Sequence, residues 1–346
     1  MGKKVKRFAL ALSVVVLAGI LWNYQLVYYG IRQGIGQLSI VWKARPVAEI
    51  LMEPSYPDSL KARIKLVEEI RRFAFDSLGI NYSENYTTFY DQRGKPLLWV
   101  VTGAEPFKLV AKEWEFPFLG SFSYKGFFDY EMAVQERDLL KERGYDTAID
   151  EVEGWSTLGW FKDPILSNML KRPAGGLANL IIHELTHGTL YIKDNVQYNE
   201  NLASFVGDRG ALMFLEYRFG KDSDEYKDYV KRKELSAGYI DLVLRGADRL
   251  DSLYASFAPE TSYTYKEREK ALISRKLITE FKEYLSYYRD RDPAFYSALD
   301  SINNTYFLGY RTYRQDQNVF ELELNQSFNG NFKEYFSYLK KTYPSL

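Results

Sequence analysis

The sequence predicts an α+β fold, predominantly helical, in which a small sheet precedes a long helical half. Two observations carry this expectation. Segments 97–102 and 120–128 are apolar, β-branched or aromatic and are bounded by glycine-marked turns, whereas from Asp163 onward the hydrophobic period is almost entirely helical. Strands that come before helices, instead of alternating with them, argue against a doubly wound parallel sheet. Hydrophobic residues make up 46% of the 346, ample for a large core.

The elements follow in chain order. Lys3, Lys4, Lys6 and Arg7 open the chain, an uncharged apolar run covers 8–22, and no further charge appears until Arg32. About 20 spannable residues with Trp22 and tyrosines at their outer edge predict a transmembrane signal anchor over 8–30, with residues 1–7 cytoplasmic and 31–346 forming an outward-facing domain. No small-x-small site follows the run, which argues against a cleaved signal peptide. Pro57 and Asp58 start an amphipathic helix to about Leu78, with Leu60, Ile64, Val67 and Ala74 on its buried side. Segments 97–102 and 120–128 are strands, 131–143 is a helix stopped at Gly144, and 145–158 alternates enough for one or two strands.

Both histidines of the chain fall in His183-Glu184-Leu185-Thr186-His187. At 3.6 residues per turn the two imidazoles project from one helical face, about 6 Å apart along the axis, within reach of one metal ion. Glu184 lies beside that face, where a carboxylate can take a proton from metal-bound water and return it to a leaving amine. The surrounding Leu177, Leu180, Ile181, Leu185 and Leu190 predict a buried helix, and Gly188 leaves room for close approach.

A catalytic zinc takes three protein ligands and keeps one position open for water. With two histidines and no cysteine, the third ligand has to be a carboxylate. Glu200 is the first choice because Glu200, Ala203, Gly207 and Ala211 recur at helical spacing, a stripe of small residues that lets two helices approach; Asp194 and Glu216 are weaker substitutes. The balance of 46 basic and 46 acidic residues gives no field for polyanions, so no nucleic-acid partner is expected.

Attack on an amide also needs a donor for the developing oxyanion. With both histidines committed, the composition leaves tyrosine, arginine, lysine or a backbone amide. The 29 tyrosines are densest suggestively at 303–313, where Tyr306, Tyr310 and Tyr313 share one helical face; pattern alone reads this as an aromatic packing stripe.

The pairing of HELTH with the following NENLAS resembles the gluzincin pattern, HExxH then NExxA. The segments YYGIRQGIGQLSIVWKARPV, FPFLGSFSYKGFFD, GWSTLGWFKDPILSNML and SINNTYFLGYRTY are similar, in the same order, to the bacterial family of putative aminopeptidases, from about Tyr28 to about Tyr313. This resemblance implies a zincin-like metallopeptidase domain with a small sheet before the active helix, a Zn2+ cofactor, a peptide substrate and a single-pass location in the bacterial inner membrane facing the periplasm or exterior. It implies Tyr313 as catalytic donor and Asn304 as a substrate-binding residue. Family members often carry a lipoprotein cysteine; this chain has none, so its tether has to be the N-terminal helix. In thermolysin-like enzymes an acid one turn beyond the glutamate ligand orients a histidine; Ser204 stands there, which makes Asp208, one turn further, the candidate for the second shell.

Segment 151–159 is the candidate edge strand for an extended substrate. Glu131, Glu151, Glu153 and Asp163 are available to bind a substrate ammonium. Two other functions stay open: a membrane-anchored binding or scaffolding module with a non-catalytic metal site, and a zinc hydrolase of a non-peptide substrate.

Overall fold

A computed structural model describes residues 2, 7, 8, 10, 21–116, 120–152, 162–286 and 293–343. The chain forms two compact units, Met1–Ala44 and Arg45–Leu346. The first contains helix α1 (Tyr24–Lys43), closed by the Ala44 amide on the Ile40 carbonyl at 2.9 Å. Among the described residues no helix is long and apolar enough to cross a membrane. The anchor expected over 8–30 therefore finds no support: α1 runs well past residue 30 and is diluted by Gln25, Arg32, Gln33 and Gln37, while 11–20 lie outside the described residues.

The second unit begins with short strands. β1 (Arg45–Pro46), β2 (Thr88–Tyr90) and β8 (Ile165–Leu166) form one sheet, with β2 parallel to β8 through Phe89 opposite Ile165. β6 (Tyr124–Phe127), β3 (Trp99–Ala104) and β7 (Asp146–Glu151) form the antiparallel sheet, Val101 standing between Lys125 and Ile149. β4 (Trp114–Phe116) and β5 (Gly120–Phe122) make a separate ribbon. The single strand predicted over 120–128 is thus two, paired with different partners. β7 ends at Glu151, and 153–159 of the expected substrate strand lie outside the described residues.

Between β1 and β2 lie the short α2 (Val47–Met52) and the long α3 (Asp58–Leu78). Ile64, Val67 and Ala74 of α3 are buried as predicted, joined by Ile70, Phe73 and Leu78, whereas Leu60 is half-buried in the first turn. Gly79 closes α3 at φ 75°, a left-handed position that glycine takes without a Cβ clash. α4 (Tyr130–Glu142) starts on Asp129, whose carboxylate accepts the Glu131 amide at 3.1 Å.

The helical half is α5 (Ala174–His187), α6 (Val196–Phe219), α7 (Asp224–Ala255), α8 (Tyr263–Ser286), α9 (Pro293–Ala298), α10 (Asn304–Arg314), α11 (Gln317–Phe328) and α12 (Phe332–Thr342). Val243, Leu250, Leu277, Phe281 and Phe307 from α7, α8 and α10 share one apolar cluster. α5 is the central rod: Leu177, Ile181, Ile182 and Leu185 are all 2% exposed or less. Burying each contributes about 1.5–3 kcal/mol, so the helix is held far more by packing than by its two N-terminal glycines and β-branched residues.

Candidate metal centre

Helix α5 places His183 and His187 one turn apart, as their spacing requires. Their ring centroids are 4.8 Å apart and nearly perpendicular, and the two Nε2 atoms face one another at 3.2 Å. The helix stops at His187, where the Thr189 and Leu190 amides both turn back to the Thr186 carbonyl at 2.9 Å. Gly188 is exposed, and among the described residues a side-chain carbon there would meet nothing nearer than the Leu185 carbonyl at 3.6 Å, so no other stretch of described backbone packs closely on this glycine.

The loop from α5 to α6 is pinched shut by Asn199. Its amide donates to the Ile192 carbonyl at 2.8 Å and its oxygen accepts the Ile192 amide at 2.9 Å. The next residue, Glu200, is thereby delivered to the histidines, its carboxylate 3.3 Å from His183 Nε2 and 3.5 Å from His187 Nε2. Asn201 then bonds the Thr312 carbonyl at 2.7 Å and accepts the Asp316 amide at 3.0 Å, tying the C-terminal end of α10 to α6. Three consecutive residues hold the loop, the acid and the neighbouring helix, and motif reading had singled out only the middle one.

His183, His187 and Glu200 are the group of described residues that could hold a metal ion. The small stripe brings the helices together: Ala203 and Ala211 are fully buried, and Gly207 sits directly under His183. Asp194 and Glu216 are exposed, the first at φ 58° in the loop and the second in an ion pair with Lys221 at 3.2 Å.

Electrostatics agree with a site built for positive charge. Burial pushes the Glu200 carboxyl up, but His187 and His183 outweigh it and lower it to about 2. Burial lowers His187, and the Glu200 carboxylate more than reverses this, raising it above the ordinary value of 6.5. His187 Nδ1 is buried with no hydrogen-bond partner among the described residues. Glu184 is raised by burial, which the two histidines only partly offset. A raised carboxyl is a stronger base than an exposed glutamate, as a proton-accepting role demands.

Tyr313 lies at the C-terminal end of α10 with its ring stacked toward His183, centroids 6.5 Å apart at 26°. Although 40% of the residue is exposed, enough protein surrounds the phenol for burial to raise its pKa well above 10, with Glu200, Tyr124 and Glu184 adding to it. Tyr306 and Tyr310, on the same face nearer the start of α10, pack instead with Tyr239, and the Tyr306 and Tyr239 hydroxyls pair at 2.6 Å.

Asn304 stands at the opposite end of α10 from Tyr313, about 13 Å along the axis. It is 1% exposed, and its side chain accepts from Tyr254 at 2.8 Å and donates to the Glu105 carbonyl at 2.8 Å. This side chain fastens α10 to the end of β3. Asp208 accepts from Asn179 at 2.8 Å and Tyr229 at 3.3 Å and pairs with Lys233 and Arg314, both at 3.1 Å. It meets α5 at Asn179, one turn before His183, and bonds neither imidazole among the described residues. Of the acids considered for a substrate ammonium, Glu131 and Glu151 are exposed, Asp163 is buried and receives the Asn85 amide at 3.1 Å, and Glu153 lies outside the described residues.

The family described as "Putative aminopeptidase" matches residues 28–343. The chain belongs to that family. The match takes in most of α1, every described strand, the HELTH helix, Glu200 and Tyr313, so this member of the putative aminopeptidase family carries its candidate metal centre well inside the shared region. Neither a curated protein nor a solved structure matches the chain.

Proposed function

We propose that the protein is a zinc-dependent peptidase of the gluzincin type, acting as an aminopeptidase. One observation carries this reading: the donor atoms of His183, His187 and Glu200 form a triangle with edges of 3.2, 3.3 and 3.5 Å. Ligands at 2.0–2.1 Å on a tetrahedral zinc stand about 3.4 Å apart, so the three residues already have the spacing of one face of that tetrahedron. Without a cation, the two imidazole nitrogens facing each other at 3.2 Å need a proton, shared between them or donated to Glu200, and a carboxylate whose pKa is lowered to about 2 favours the positive charge that a metal would bring.

His183 Nε2, His187 Nε2 and Glu200 would hold the zinc, which when bound supplies Lewis-acid activation of water and of the scissile carbonyl. Glu184 accepts the proton of the attacking water and delivers it to the departing amine. Tyr313, kept protonated by its surroundings, donates to the oxyanion of the tetrahedral carbon. Protein walls around Glu184 and His187 limit water and strengthen these interactions. Lys3, Lys4, Lys6 and Arg7 ahead of the uncharged run 8–22 favour a tether to the bacterial inner membrane with the catalytic unit outward.

The test is metal analysis of the purified chain together with cleavage of peptides bearing free or acetylated N-termini. About one zinc per chain is expected, with hydrolysis that a chelator abolishes and that acetylation blocks. Cleavage of both peptides equally would make the enzyme an endopeptidase, and a metal-free chain with full activity would overturn the zinc reading.

A further inference from the structure

Tyr313 depends on its chain neighbours for its place. Among the described residues its side chain makes no hydrogen bond, and its ring contact is with His183, 6.5 Å between centroids. A phenol left free to donate cannot fix its own position, so the backbone on either side has to do so.

Both flanks are held by α6, the helix that carries Glu200. Just before Tyr313 the Thr312 carbonyl accepts from Asn201 Nδ2 at 2.7 Å, and just after it the Arg314 guanidinium pairs with the Asp208 carboxylate at 3.1 Å. Asn201 is 0% exposed and binds on three sides: Nδ2 also donates to the Gln197 carbonyl at 2.9 Å, and Oδ1 accepts the Asp316 amide at 3.0 Å. The Thr312 carbonyl belongs to the last turn of α10, where the helix itself supplies no donor. Asn201 is therefore a cap delivered from another helix, grasping the chain on both sides of Tyr313.

Asp208 extends the grip. One of its oxygens accepts from Asn179 on α5, one turn before His183, at 2.8 Å, and the other takes Lys233 of α7 together with Arg314, both at 3.1 Å. Asn201 and Asp208 stand two helical turns apart and so share one face of α6. That face meets the end of α10 at both points.

We propose that Asn201 and Asp208 are positioning residues for the oxyanion donor: they fasten the residues flanking Tyr313 to the helix that carries Glu200, and so hold the phenol at a set place over the metal site. The proposal rests on the roles of the metal centre and Tyr313 given above. A displacement of about 1 Å at a reacting group can cost about 100-fold in rate, so two bonds that touch neither metal nor substrate can still set turnover.

The test uses the full chain with Asn201→Ala and Arg314→Gln, each alone and combined with Tyr313→Phe, and measures zinc content, Tm, and kcat and KM on a fluorogenic peptide with a free N-terminus. Each single variant should lose about tenfold or more in kcat at unchanged KM and zinc content. In the Tyr313→Phe background the same substitution should change kcat by less than about twofold, because the group it positions is gone. Equal losses in both backgrounds, or single variants within about twofold of the parent, overturn the proposal. Arg314 is partly exposed, so its variant decides the matter where Asn201→Ala does not fold.

A second measurement needs no turnover. With cobalt in place of zinc and a fluorine on the Tyr313 ring, the cobalt-induced fluorine shift reports where the ring lies relative to the metal. The shift should change in both variants, and an unchanged shift overturns the proposal even for a chain that cleaves no peptide. A parent protein in which cobalt induces no shift overturns the metal centre and this proposal with it, which separates the two failures.

Discussion

The backbone carbonyl of Asn179 lies 2.9 Å from where a side-chain carbon on Gly207 would stand, and His183 Cβ lies 3.2 Å from the same point. Helices α5 and α6 therefore touch at the turn that carries the first histidine, and the separation of His183 from Glu200 depends on that contact.

Gly207→Ala is expected to force the two helices apart and to destabilise the protein by about 1–3 kcal/mol, because the opposing atom is backbone and cannot rotate away. The same shift widens the triangle around Glu200, so zinc affinity should fall with stability. Thermal unfolding with and without zinc measures both. Unchanged Tm and affinity would mean that the helices can slide without cost.

Glu184→Gln should keep the metal and the fold while lowering kcat by about 100-fold or more, since the amide fills the same volume but accepts no proton. Zinc content and circular dichroism check the first part, and steady-state kinetics the second. Parent-like turnover would remove Glu184 from the mechanism.

How far such residues were legible in the sequence depends on whether their partners are local. His183 and His187 are set by helical period alone, and Glu200 could be found because a stripe of small residues signals close helix contact. Tyr313 could not be separated from Tyr306 by pattern, since seven residues return to the same face; only the tertiary neighbours along α10 differ, His183 at one end and Tyr239 at the other. Asn199 and Asn201 look alike beside Glu200, yet one closes a loop and the other holds a distant helix end, a distinction that needs the fold. Strands β2 and β8 are two or three residues long and pair across a separation of 76 residues, Phe89 with Ile165, which leaves no periodicity to read.

Tyr313→Phe should lower kcat by about 100-fold, the effect of deleting one oxyanion donor, and leave KM and zinc content near parent values. Tyr306→Phe serves as the contrast. It loses the 2.6 Å pairing with Tyr239 in the aromatic core, so its effect should appear in Tm and not in kcat. Equal losses of kcat in both variants would argue that α10 matters only as packing.

The metal-free protein should have its stability maximum between pH 4.5 and 6.5. Glu200 is lowered from 4.5 to about 2 on folding, so its contribution is fully present above 4.5 and is lost as pH falls toward 2. His187 is raised above 6.5, so its contribution is fully present below 6.5 and is lost as pH rises through its folded value. Both contributions overlap only in the interval between, where the carboxylate and the imidazolium form an ion pair. Zinc needs the imidazole deprotonated, so adding it should stabilise least at acidic pH and progressively more above 6.5. Tm recorded against pH for the stripped and loaded protein tests this directly, and Glu200→Gln should flatten the acid limb of the stripped curve. A stripped protein that is most stable at pH 8 or above would show that the pair does not form.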